Sequence, residues 1–332
     1  VRTFDKPKAR FDNTGIDTDE EERIRMQEYQ VIIVGGGPAG LTAGLYTARA
    51  HLKTILLEAM IPSGQAYMAE RIENYPGFPD GITGRELVER FVTQATKFGL
   101  EIRQFNKVDR AAQTEKTFIV EAGGEKFSTA TLIIASGAQA NTLGIPGEDI
   151  YTGKGISYCA TCDGPFFRNQ EVVVVGGGDT ALEDALYLSR LARKVYIIHR
   201  RDELRAQKVL QQRALENPVI EVIWNSVITE IKGTETLKAV VVENKRDGIK
   251  RELSISGVFI AVGQRPNTDF MRGIVPIDEQ GYIITDAECE TSVPGIFAAG
   301  DVRKKGLRQI ATAVGDGALA AAAAERYIAL RT

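Results

Sequence analysis

Two of the three cysteines of this chain stand as Cys159-Ala160-Thr161-Cys162, and Asp163 follows at once. Cysteines three apart close a small disulfide ring, and the spacing also lowers one thiol's pKa, which favours thiol–disulfide exchange. A carboxylic acid beside such a pair can deliver or take the proton that exchange requires. Two other readings compete. A structural zinc would need two further ligands, and only Cys289, His51 and His199 remain among the soft ones, so no metal is expected. A buried, unreactive thiol pair is the other. Cys289 has no partner in sequence and reads as a core or surface thiol.

Two further patterns could serve such chemistry. The buried-strand run Val31-Ile32-Ile33-Val34 leads into Gly35-Gly36-Gly37-Pro38-Ala39-Gly40, a helical stretch to about Ala50, and the strand Thr54–Leu57 ending at Glu58. The same order recurs with Val172–Val175, then Gly176-Gly177-Gly178-Asp179-Thr180-Ala181, a helix to about Ala192 and the strand Val195–Ile198. Glycine after a strand permits the tight turn and lets the backbone approach a pyrophosphate, while the next helix offers N–H donors and a favourable dipole. The competing reading of each loop is a plain strand-to-helix turn.

The loops differ where a ribose would bind. Glu58 suits a ribose diol, whereas His199, Arg200, Arg201 and Arg205 form a cationic cluster suited to a 2′-phosphate, so NADPH is expected over NADH. The alternative is a solvated basic helix start, because Asp202 and Glu203 follow immediately.

The elements that must position these groups fall into two domains. A chain of 332 residues exceeds one ordinary core. Apolar residues at 43% and charged residues at 26% match a soluble globular protein. The net charge of −3 leaves no electrostatic footprint for nucleic acid. No apolar run approaches the ~18 residues of a membrane span, and Val1–Arg10 lack a signal-peptide core, so the expected location is cytoplasmic.

Residues 1–28, with the acidic run Asp17, Asp19, Glu20, Glu21 and Glu22, read as a flexible extension. Short β-type runs are predicted around Ile220–Trp224, Val227–Ile231, Leu237–Val242 and Val258–Val262, and an Ala-rich helix from about Gly317 to Leu330. The fold class expected is α/β, with two Rossmann-like three-layer domains, the second inserted into the first. The first domain spans 29–138 and 265–332, and the second spans 139–264.

From about Tyr29 onward the chain resembles the low-molecular-weight, bacterial-type thioredoxin reductases. The motifs that carry the resemblance are Gly35–Gly40, Cys159-Ala160-Thr161-Cys162-Asp163-Gly164 and Gly176–Ala181. They continue with His199-Arg200-Arg201-Asp202-Glu203-Leu204-Arg205 and Gly295-Ile296-Phe297-Ala298-Ala299-Gly300-Asp301. The resemblance implies a homodimer with an FAD domain and an inserted NADPH domain that carries the redox disulfide. It implies that Gln65, Asn74, Gly300, Asp301, Arg308 and Gln309 help hold FAD, alongside Gly35, Gly37, Pro38, Ala39, Gly40 and Glu58. Gly176, Gly178, Asp179, Thr180 and the basic cluster fall to NADPH. It implies electron flow from NADPH through FAD to Cys159–Cys162 and on to thioredoxin or a thioredoxin-like protein, with Cys162 nearer the flavin and Asp163 as acid/base. It also implies rotation of the inserted domain about hinges near 136–140 and 262–267. Rival readings are a reductase serving a glutaredoxin-like or peroxidase-system partner, and a flavin dithiol oxidase without nicotinamide.

Overall fold

The computed structural model describes residues 26–60, 64–69 and 71–331. Most of the 1–28 segment expected to be an extension lies outside the described residues. The first strand, β1 (Gln27–Val34), already takes up its last two positions.

The backbone divides into two compact units, the second interrupting the first, and both are α/β. In unit 1, β1 pairs in parallel with β2 (Thr54–Leu57), and β2 with β3 (Glu101–Arg103). The antiparallel β4 (Val108–Gln113) and β5 (Phe118–Ala122) lead into the ten-residue β6 (Glu125–Ile134). That long strand pairs with β5 over its first half and with β1 along most of its length.

Val31, Ile32 and Ile33 have no exposed surface. They form a continuous apolar run because both faces of a parallel strand are covered. Val31 and Ile33 point into a core with the Pro38–Arg49 helix, while Ile32 and Val34 point into a second core with Phe127, Leu132 and Met271. The alternation follows from the two-residue period of the strand.

The chain leaves unit 1 after Gly137 and returns after Arg265. Between the crossings come β7 (Ala138–Ala140), β8 (Ile156–Ser157), β9 (Glu171–Val175), β10 (Lys194–Ile198) and β11 (Ile220–Ile223). Then follow β12 (Ser226–Gly233), β13 (Leu237–Asn244), β14 (Lys250–Ser254), β15 (Gly257–Ile260) and β16 (Gln264–Pro266). The parallel sheet of unit 2 runs β11-β10-β9-β15-β8, and β12-β13-β14 form an antiparallel sheet. Alternate residues of β9 again serve two cores, Val172 and Val174 with the helix Asp179–Leu188, and Val173 and Val175 with Ile228, Val240 and Val242 of the antiparallel sheet. Each unit is thus a three-layer Rossmann-like domain. The segment Met68–Gly84 groups with unit 2.

Back in unit 1, β17 (Ile296–Ala298) pairs in parallel with the end of β6. The C-terminal helix spans Ile310–Ala329, about two turns longer at its start than the sequence pattern suggests. Gly315 and Gly317 read locally as helix breakers. At Gly317, however, a Cβ would lie 2.2 Å from the Ala39 carbonyl oxygen, so glycine is what lets this helix touch the Pro38–Arg49 helix. Gln309 and Thr312 close a capping box that starts the helix.

Candidate active site

In unit 1 the strand β1 delivers Gly35 at φ +107°, where a Cβ would lie 2.4 Å from the Ala135 carbonyl oxygen. Gly40 is equally constrained, since its Cβ would overlap the Gly35 carbonyl. Gly37 is different. It precedes the helix, with Pro38 and Ala39 in the first turn, and the nearest atom to its would-be Cβ is the Gly64 Cα at 4.0 Å. Among the described residues no neighbour requires its glycine, and a side chain there would fill the cradle in front of the helix N-terminus. Glu58 extends from the end of β2, its carboxylate accepting the Gly36 N–H at 2.5 Å and the Met60 N–H at 3.2 Å. Gln65 lies on the single turn Gly64–Tyr67 beside this loop.

Gly300 and Asp301 follow β17 directly. Burial pushes the Asp301 carboxyl above its usual range, with Lys305 acting against this. Asp301 Oδ1 is buried, and among the described residues Lys305 Nζ at 3.5 Å is its one ion-pair partner. Arg308 lies 4.1 Å over the Tyr282 ring, its Nε buried without a partner among the described residues. A buried acceptor held only at long range by Lys305 and a buried donor without a partner among the described residues, together with the Gly37 cradle, fit a large polar ligand with a diphosphate. Gln309 caps the adjoining helix. Asn74 lies on the Met68–Gly84 segment, so the unit that carries the other residues of this group does not include it.

Sequence reasoning missed the group beneath Gly300. Asp316 accepts the Gly300 N–H at 3.0 Å and pairs with Arg303 at 3.0 Å and Lys305 at 2.9 Å. Cys289, fully buried, takes a hydrogen bond from Arg303 at 3.0 Å and faces the Asp316 carbonyl. Burial raises its thiol to about 12, which keeps it protonated and unreactive. The available signal was a lone carboxylate, Asp316, in an otherwise apolar helix stretch.

The second loop repeats the design in unit 2. Gly176, at φ +153°, would place a Cβ 2.5 Å from the Ala261 carbonyl oxygen, while nothing lies within 4 Å of a Cβ at Gly178. The cationic cluster needs one correction. His199 is buried, its ring 2.3 Å from where a Gly177 Cβ would sit and its Nε2 donating to the Glu203 carbonyl at 2.9 Å. Burial, reinforced by Arg205 and Arg201, holds its pKa below the usual value, so His199 is a neutral brace and not a member of the charged rim.

Arg200, Arg201 and Arg205 are exposed, and among the described residues no carboxylate lies within ion-pair reach of them. The Gly177 carbonyl accepts the Arg205 and Ala206 N–H groups at 2.7 and 3.2 Å, tying the basic loop to the glycine loop. Asp179 also turns to this loop, accepting the Gln207 backbone N–H at 2.7 Å and its side-chain amide at 3.1 Å. Thr180 is exposed at the helix start.

Cys159 and Cys162 are joined in a disulfide, with Cα atoms 5.3 Å apart. With the sulfurs bonded to each other, the zinc reading gives way to the redox one. The turn Ala160–Asp163 is held by the Cys159 carbonyl, which accepts the Cys162 and Asp163 N–H groups. The Ser157 hydroxyl at the end of β8 accepts the Cys159 N–H at 3.0 Å. Burial raises the Asp163 carboxyl and a hydrogen bond from Ser157 lowers it, with burial the larger effect, so Asp163 keeps its proton to a higher pH than a free aspartate. Phe167 packs edge-on against Phe259 in the core, while Phe166 is exposed.

A family profile described as "Pyridine nucleotide-disulphide oxidoreductase" matches residues 29–317. The thioredoxin reductase of Listeria innocua is 46% identical over 309 residues, covering 93% of this chain and 95% of that relative. The thioredoxin reductase of Treponema pallidum is 46% identical over 304 residues, covering 91% and 97%. The crystal structure of the Streptococcus pyogenes thioredoxin reductase superposes with a TM-score of 0.88 at 45% identity, covering 91% of this chain and 99% of that one. Paired glycine loops, a bonded Cys-x-x-Cys with its acid, and likeness over nine-tenths of the chain agree: it belongs to the pyridine nucleotide-disulphide oxidoreductase family, among its thioredoxin reductases.

Proposed function

We propose that this chain is an NADPH-dependent thioredoxin-disulfide reductase with FAD and NADPH as its cofactors. The observation that carries the reading is the bonded Cys159–Cys162 pair with Asp163, whose carboxyl burial pushes up, directly after it, on the same unit as the basic dinucleotide loop. Unit 1 takes FAD, with Gly35, Gly37, Pro38, Ala39 and Gly40 facing the diphosphate and Glu58 a ribose. Gln65, Gly300, Asp301, Arg308 and Gln309 complete that site, and Asn74 is a further residue that the resemblance assigns to FAD. Unit 2 takes NADPH at Gly176, Gly178 and Thr180, with Arg200, Arg201 and Arg205 on the 2′-phosphate and Asp179 and His199 holding the loop that bears them.

When bound, NADPH supplies a hydride and FAD relays the electron pair to the disulfide. The chain's own residues do the rest. As the Cys159–Cys162 bond opens to two thiols, Asp163 moves a proton at the sulfur. One thiolate then attacks the partner disulfide to give a mixed disulfide, and the second cysteine displaces it, releasing the partner dithiol and re-forming the Cys159–Cys162 bond.

The partner is thioredoxin or a thioredoxin-like protein, the assembly a homodimer and the location cytoplasmic. Sparse cysteine usage with Cys289 kept as a thiol supports a reducing compartment. Among the described residues no helix is long and apolar enough to cross a membrane.

The test is NADPH oxidation coupled to a panel of thioredoxins, glutaredoxins and oxygen alone. Cys162→Ser should abolish partner reduction while anaerobic bleaching of the flavin by NADPH persists. Turnover with thioredoxin by that variant would sink the relay. A preference for glutaredoxin or oxygen would replace the acceptor.

A further inference from the structure

The basic loop of unit 2 carries two carboxylates, Asp202 and Glu203, between Arg201 and Arg205. An acid among phosphate-binding arginines opposes binding of a dianion. Asp202 is not left to do so. Its carboxylate is paired with Arg246, which is more than forty positions away in sequence, on the turn between β13 and β14.

That turn is fixed against the basic loop by backbone bonds. Asn225, at φ +51°, donates its N–H to the Arg201 carbonyl at 3.1 Å and accepts the Lys245 N–H at 2.7 Å. The Arg246 N–H is itself bound to Asn244 Oδ1 at 2.8 Å. The antiparallel sheet therefore presents one guanidinium to Asp202, the carboxylate that directly follows Arg201.

We infer that Arg246 is a specificity-determining residue for the nicotinamide donor: it masks Asp202, so that this carboxylate does not offset Arg200, Arg201 and Arg205 at a 2′-phosphate. The inference rests on the reading that this rim receives the 2′-phosphate. Arg246 need not touch the cofactor. An exposed pair of this kind contributes little to folding, so its consequence should appear in donor discrimination and not in stability.

The experiment measures kcat/KM for NADPH and for NADH with a disulfide acceptor in Arg246→Ala, Asp202→Asn, the double variant and Arg201→Ala, with melting temperatures as the folding control. Unmasking Asp202 about 5–10 Å from a dianion should lower the NADPH-to-NADH ratio roughly threefold to tenfold at low salt, less at high salt. NADH values should hold, and Asp202→Asn in the Arg246→Ala background should restore the ratio. A ratio unmoved by Arg246→Ala but moved by Arg201→Ala overturns this inference alone. A ratio that falls and is not restored makes Arg246 a direct phosphate ligand and also overturns it. A ratio unmoved by Arg201→Ala removes the rim reading itself.

Discussion

Asp316→Ala tests the buried network under Gly300 most directly. Asp316, Arg303 and Lys305 have side-chain exposures of only 12%, 11% and 11%, so all three charges are largely withdrawn from water. Removing the carboxylate leaves two buried cations with reduced compensation and the Gly300 N–H without its acceptor. Breaking a buried pair by deleting one partner costs about 3–5 kcal/mol, and an orphaned N–H about 1–3 kcal/mol. These do not add fully, because Asp301, 3.5 Å from Lys305, takes up part of the freed charge. The expected loss is therefore about 3–5 kcal/mol, or on the order of 10 °C in the melting temperature of a unit this size. Urea unfolding of the FAD-stripped protein reads the stability, and flavin fluorescence quenching reads FAD affinity, which should weaken because Gly300 and Asp301 lose their support. Asp316→Asn keeps an acceptor for Gly300 and should fall between wild type and alanine. A loss below about 1 kcal/mol with unchanged FAD affinity would refute the argument.

The other predictions rest on single positions. Gly178 has extended backbone and no atom within 4 Å of a would-be Cβ, so Gly178→Ala should fold normally yet raise KM for NADPH several-fold; an unchanged KM would mean no pyrophosphate approaches there. Asp184 is raised by burial, then by Glu183, from 3.8 to about 7. The folded state thus favours its protonated form, a contribution fully present below about pH 4 and lost as pH rises through about 7. Asp184→Asn should then stabilise the protein by roughly 2–4 kcal/mol at pH 8, shrinking by more than half at pH 5. A stability difference flat across that range, read by urea titration, would contradict this.

Local sequence was enough wherever the physical requirement is local. The apolar runs of β1 and β9 and the glycine turns after them are legible because a parallel strand buries both faces and a strand-to-helix turn at Gly35 or Gly176 admits no side chain. The Cys159–Cys162 spacing and its neighbouring acid are likewise short-range facts. Tertiary structure decided the rest. The C-terminal helix begins before Gly317 because a partner helix comes within touching distance of that glycine. His199 reads as a charge in sequence and is a neutral brace in the fold, since only packing against Gly177 removes it from water. Phe166 and Phe167 are alike in sequence, yet only one meets Phe259.

The deepest difference lies in paired charges. Cys289, Arg303 and Asp316, or Asp202 and Arg246, are separated along the chain and meet only when strands and helices bring them together. A charge shows its sign in sequence. Whether it is exposed, buried or masked depends on what the fold sets beside it, because desolvation and pairing are properties of the surroundings and not of the residue.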